Sequence, residues 1–136
     1  MEAVKKYLYD REEIIFAYLY GSLARGNENK LSDIDIALYI DTDNIPASGS
    51  FGYRSEIISE LQSLIKREVD LIILNDVSLY LAFNVLKDGK LLFTKSAKER
   101  TVFHNSIMRE YLDLKAMYRV QEDYLQKRLT KGQFGR

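Results

Sequence analysis

Cysteine is missing from all 136 residues, which excludes disulfides, thiolate metal sites and a cysteine nucleophile. Tryptophan is absent too, proline occurs once (Pro46) and histidine once (His104). No acid or nucleophile stands at catalytic spacing from His104, and Arg100 lies four residues before it, so it reads as structural or solvent-facing. Charge of one sign is equally lacking. Twenty Lys plus Arg balance twenty Asp plus Glu, so no global field recruits a polyanion and strong nucleic-acid binding is not expected. No apolar run approaches the roughly 20 residues that span a bilayer. The N-terminus, with Lys5, Lys6 and Asp10, has no apolar signal core, so no membrane association and a cytoplasmic location are expected. Repeats and low-complexity tracts are missing as well.

What is present is ordinary for one globular domain: 46% apolar and 29% charged residues over a length sufficient for a real core. The informative stretch runs from Tyr20 to Ile40. In Leu31-Ser32-Asp33-Ile34-Asp35-Ile36-Ala37-Leu38-Tyr39-Ile40 the apolar residues alternate, with Ile34, Ile36, Leu38 and Ile40 on one face of a strand. Asp33, Asp35, Ala37 and Tyr39 take the other. At a rise of about 3.3 Å per residue the two aspartate Cα atoms lie roughly 6.6 Å apart and point the same way. Their charges repel unless a cation joins them, and hard cations such as Mg²⁺ use one or two carboxylates plus substrate phosphates. Taken alone, the pair also fits two solvated residues on an exposed face.

The turn upstream favours the ligand. Gly21 ends the apolar run Ile14–Tyr20, which reads as a buried strand, and opens Gly21-Ser22-Leu23-Ala24-Arg25-Gly26. A glycine here lets backbone N–H groups and the Ser22 hydroxyl face an anion, and a helix starting next would favour phosphate at its N-terminus. Gly21 and Gly26 have Walker A spacing, but Asn27 and Glu28 stand where Lys and Ser/Thr are required, which excludes a P-loop. Arg25 has two readings, a reach to the same anion or a pairing with Glu28.

Elsewhere, Met1 to about Glu13 reads as a helix with Val4, Tyr7 and Leu8 as its stripe. Asp41 to Gly52 reads as a loop. It opens like a calcium loop at Asp41-Thr42-Asp43, but Ile45 and Pro46 occupy the next ligand and glycine positions and exclude an EF-hand. Tyr53 to Arg67 is an amphipathic helix burying Ile57, Ile58, Leu61, Leu64 and Ile65. Glu68 to Asn75 follows as a strand whose aliphatic run suggests burial on both faces. Asp70 at its mouth is either paired or metal-bound, or precedes the buried part and stays wet. Asp76 or Ser78 caps a helix to about Lys87, buried through Leu79, Ala82, Phe83 and Leu86. Gly89 suits its C-terminus, and Lys90–Thr94 is an edge strand. Ser96 and Glu99 form a capping box for a long helix over about 97–129, with the stripe Phe103, Ile107, Tyr111, Leu114, Tyr118, Leu125, Leu129. Continuous, it extends about 50 Å. Its distal half, Tyr118 to Leu129, is then either a partner surface or bends back onto the sheet. Thr130–Arg136 reads as a frayed tail.

The run Gly21-Ser22-Leu23-Ala24-Arg25-Gly26, then Ser32-Asp33-Ile34-Asp35, then Asp70 on a later strand, resembles the nucleotidyltransferase superfamily of DNA polymerase β type. More narrowly it resembles the minimal nucleotidyltransferases (MNT proteins) that act as antitoxins beside HEPN-domain toxins. The resemblance implies an α/β (α+β) fold with a mixed sheet flanked by helices and a long C-terminal helix. One domain over 1–136 is expected, its core at about 1–95.

It also implies an enzyme, a protein adenylyltransferase. Asp33, Asp35 and Asp70 would hold two Mg²⁺ ions and act in catalysis, while Gly21, Ser22 and Arg25 would bind the phosphates of ATP. AMP would pass to a hydroxyl, a tyrosine of a partner HEPN toxin in a heteromeric complex. Larger members carry a second domain for the acceptor, and this chain has no room for one, so the acceptor is expected on another protein. Two alternatives are a non-catalytic antitoxin that occludes the toxin, and a nucleotidyltransferase acting on a small molecule.

Overall fold

Alternating and helical patterns resolve into a mixed sheet with helices on both faces. A computed structural model describes residues 1–21, 33–45 and 49–130. The elements run α1 (Glu2–Tyr9), β1 (Ile14–Tyr20), β2 (Ile34–Ile40), a 3-10 turn (Thr42–Asn44), α2 (Gly49–Ile65), β3 (Val69–Ile73), α3 (Leu79–Asp88), β4 (Lys90–Thr94) and α4 (Ala97–Thr130). The strand order is β3-β2-β1-β4, with β1 antiparallel to both β2 and β4, and β2 parallel to β3. A parallel pair needs a crossover, which α2 supplies.

Each sheet face buries its own core. On one, Ile34, Ile36, Leu38 and Ile40 pack with Val4 and Leu8 of α1 and Tyr53, Ile57 and Leu61 of α2. On the other, Phe16, Tyr18 and Ala37 meet Ala82, Val85 and Leu86 of α3, with Phe103, Ile107 and Met108 of α4 packed alongside. A register shift between Ile14 and Phe16 lets β1 serve both faces although its apolar residues do not alternate strictly. Asn75 closes the far end of β2, donating to the Ile40 carbonyl and accepting from the Ile40 N–H.

Several expectations are corrected. α1 stops at Tyr9, and Asp10 to Glu13 turn the chain into β1 instead. α2 starts at Gly49, inside the stretch that composition assigned to a loop, and the added turn leads into Tyr53, which is fully buried. It ends at Ile65, where Lys66 adopts a left-handed φ of 55°. Leu64, expected on the buried face, is exposed. β3 lies at the sheet edge, yet its aliphatic residues serve both faces as expected, Val69, Leu71 and Ile73 in one core and Ile72 against the other, while Asp70 at its mouth is exposed. In α3 Leu79 and Phe83 are only half-buried, Val85 taking the inner place. Ser78 is its cap, accepting from the Leu81 N–H. Gly89 caps the far end in an extended, not left-handed, conformation.

β1 and β4 lie within the expected bounds, and Ser96 accepts from the Glu99 N–H at the start of α4. That helix leaves the body. Phe83 stacks on Tyr111 at 3.7 Å, and beyond Leu114 almost every residue is exposed, so the distal half does not fold back. His104 is half-buried.

Candidate active site

One end of the sheet gathers the polar residues that its interior excludes. In the antiparallel pair Tyr20 of β1 stands opposite Asp35 of β2, and in the parallel pair Asp35 stands opposite Asp70 of β3. Residues directly opposite share a face, so Tyr20, Asp35 and Asp70 form a row across three strands at about 4.8 Å per strand. Asp33 is exposed and lies just before β2, which begins at Ile34. Ser22 and Arg25 lie outside the described residues. Gly21 is within them, at φ +77°, and a Cβ there would collide with Oδ2 of Asp35. The backbone angle is what favours glycine here, and any side chain would also make the Asp35 carboxylate turn aside.

The electrostatics follow from this crowding. Burial pushes the Asp35 carboxyl above its usual range, and the neighbouring charges of Asp70 and Asp33 push it further. Burial likewise raises the Tyr20 phenol, helped by Asp70 and Asp35. The Tyr20 hydroxyl donates to Oδ2 of Asp70 at 3.3 Å. On the other side Nη2 of Arg54, from α2, lies 3.5 Å from Oδ1, and Arg54 Nε donates to the Leu71 carbonyl. Beside Gly21 a cleft of about 210 Å³ opens between Tyr20 and α3, walled by Leu81, Asn84, Val85 and Asp88.

Among the described residues no three acidic or histidine side chains stand close enough together to cage a metal ion as placed. The donor chemistry nonetheless fits Mg²⁺. Asp35 and Asp70 offer hard oxygens side by side, Asp33 adds a third at the strand mouth, and their mutual repulsion is what a divalent cation relieves. Sequence reasoning missed Tyr20 and Arg54. Tyr20 reads as one more aromatic of a buried strand, and Arg54 belongs to a helix whose only visible pattern is its apolar stripe.

Residues 2–98 match the family profile described as Polymerase beta, Nucleotidyltransferase. Over 68 residues the chain is 40% identical to a Methanocaldococcus jannaschii protein named, provisionally, as a protein adenylyltransferase, covering 50% of this chain and 65% of that one. Over 78 residues it is 40% identical to the protein adenylyltransferase MntA of Shewanella oneidensis, covering 56% of this chain and 51% of that one. The chain thus spans between half and two thirds of the length of these relatives. Among solved structures, a toxin–antitoxin with AMP-PNP is similar at a TM-score of 0.73 and 27% identity, covering 92% of this chain and 97% of the other.

Proposed function

Since the chain belongs to the polymerase beta nucleotidyltransferase family, we propose that it is a Mg²⁺-dependent protein adenylyltransferase that moves AMP from ATP onto a tyrosine hydroxyl of a partner HEPN toxin. It would act thereby as an antitoxin. The adenine nucleotide and the toxin are supported by the similar toxin–antitoxin structure with AMP-PNP and by the two adenylyltransferase relatives.

Asp33, Asp35 and Asp70 would hold Mg²⁺, whose chemistry is to neutralise the triphosphate and so favour displacement at the α-phosphorus. The Gly21 backbone and the Ser22 hydroxyl would cradle the β- and γ-phosphates, with Arg25 as a further candidate for the same anion. Asp70, half exposed, is open to the acceptor and takes its proton. The bond from the tyrosyl oxygen to the α-phosphorus forms as the bond to the bridging oxygen breaks, and pyrophosphate leaves. Transfer of this kind depends on positioning and charge more than on covalent chemistry.

The observation that carries this reading is the in-register placement of Asp35 and Asp70 beside Gly21, whose left-handed backbone angle favours glycine. The test is incubation of the chain and its HEPN partner with Mg²⁺ and labelled ATP. Label should pass to the partner, and Asp33→Asn or Asp35→Asn should abolish the transfer; undiminished transfer by either variant defeats the metal assignment. A second reading, occlusion of the toxin without catalysis, draws on α4, where Tyr118, Tyr124, Leu125 and Leu129 are exposed beyond the body. Full neutralisation by a variant lacking all three aspartates would favour it.

A further inference from the structure

Asp70 is gripped from two sides by residues of two different elements. Tyr20 holds Oδ2 from β1, and Arg54 approaches Oδ1 from α2. The guanidinium is also tied by Nε to the carbonyl of Leu71, the next residue on the edge strand. Its charge is therefore fixed relative to β3. Stability does not account for the pair, because the Arg54 and Asp70 side chains are 40% and 51% exposed. Ion pairs of that kind contribute about 0–1 kcal/mol. Local charge does account for it. Asp33, Asp35 and Asp70 crowd three negative groups at one strand end, and Arg54 is the cation that the described residues set in contact with them. At 3.5 Å the contact is looser than a charge-assisted hydrogen bond of about 2.7–2.9 Å. A divalent ion can displace it.

We infer that Arg54 is a positioning residue of the transfer centre: the counter-cation that orients and neutralises Asp70 until a divalent ion takes its place. The inference rests on the nucleotidyltransfer reading above. Once displaced from the carboxylate, Arg54 stays at the rim through Leu71, with its charge facing the incoming polyphosphate.

The test compares the full chain with Arg54→Gln and Arg54→Lys in three measurements: Mn²⁺ titration without nucleotide, followed by electron paramagnetic resonance; steady-state transfer to the partner; and thermal unfolding. In Arg54→Gln, Mn²⁺ affinity rises about three- to tenfold, since a repelling unit charge is gone from beside the carboxylates. At the same time kcat falls about tenfold, with KM for ATP little changed, as expected when a residue that orients a metal ligand is lost. The melting temperature stays put. Arg54→Lys keeps the charge but loses the fork to Leu71, so it keeps near-native Mn²⁺ affinity and recovers part of kcat. Wild-type Mn²⁺ affinity and kcat in Arg54→Gln overturn the inference, as does a joint fall of affinity, kcat and melting temperature, which marks a structural pair. A wild-type chain that neither binds Mn²⁺ nor transfers AMP overturns the nucleotidyltransfer reading and this inference together. A wild-type chain that does both, matched by Arg54→Gln, overturns this inference alone.

Discussion

Glu13 and Asp70 each meet a tyrosine and an arginine, at opposite ends of the sheet, and the two pairings differ in kind. Glu13 is 8% exposed and accepts from Tyr53 Oη at 2.6 Å and from Arg11 Nε at 2.7 Å. Burial pushes its carboxyl up, yet the hydrogen bonds from Tyr53 and Arg11 outweigh that and hold it below the usual range. Asp70 is half exposed, and its tyrosine and arginine stand off at 3.3 and 3.5 Å. Its neighbour Asp35 is pushed up by burial and by the like charges of Asp70 and Asp33, with no donor among the described residues to offset them. The first carboxylate has its charge satisfied from within the fold. The second group has its charge only partly met, by the longer contacts of Tyr20 and Arg54 with Asp70, and a cation from outside can supply the balance. This separates a carboxylate that holds the molecule together from carboxylates suited to the proposed ligand.

The separation is strongest in activity. Asp35→Asn should cost at least about a hundredfold in transfer, the order seen when one electrostatic partner of a transition state is removed. The fold should be no less stable, because a repelling charge has gone. Denaturant unfolding beside a transfer assay checks both halves. At the other end Tyr53→Phe leaves buried Glu13 without its closest donor, and should cost about 1–3 kcal/mol of stability. Catalysis should survive in whatever fraction remains folded. If instead Tyr53→Phe silenced transfer in a folded protein, the two ends would not be independent.

Acid unfolding refines the same contrast. Because Glu13 has a folded pKa below its unfolded one, it adds stability above the ordinary carboxylate range near pH 4.5. That stability is lost as pH falls through the lower folded value. Glu13→Gln should flatten this limb of the stability curve, as read by denaturant midpoints at a series of pH values. The smallest effect on stability belongs to α4: Leu125→Glu, on an exposed position, should shift it by less than about 0.5 kcal/mol. If the distal helix meets the partner, the same change weakens co-purification of the toxin.

Much of this layout was legible in the chain. The alternation of Ile34, Ile36, Leu38 and Ile40 fixes which way Asp35 points, and the apolar run ending at Tyr20 delivers Gly21 to the same place. Cross-strand register was not legible. That Asp35 faces Asp70 on one side and Tyr20 on the other depends on how strands pair, and no local pattern encodes it. Arg54 was hidden for a related reason, since it reaches the site only because α2 crosses over to β3. The start of α2 was obscured by Gly49 and Gly52, turn residues in composition that nonetheless lie in the helix, which buries Tyr53. β3's aliphatic run did report packing on both faces, but not its place at the sheet edge, since an edge strand covered on both faces needs the same residues.

The most direct measurement of the proposed transfer is the intact mass of the proposed HEPN partner after incubation with Mg²⁺, ATP and either the wild-type chain or Asp70→Asn. The account predicts a gain of whole AMP units with the wild type and an unchanged mass with the variant. Equal AMP addition by both would contradict it.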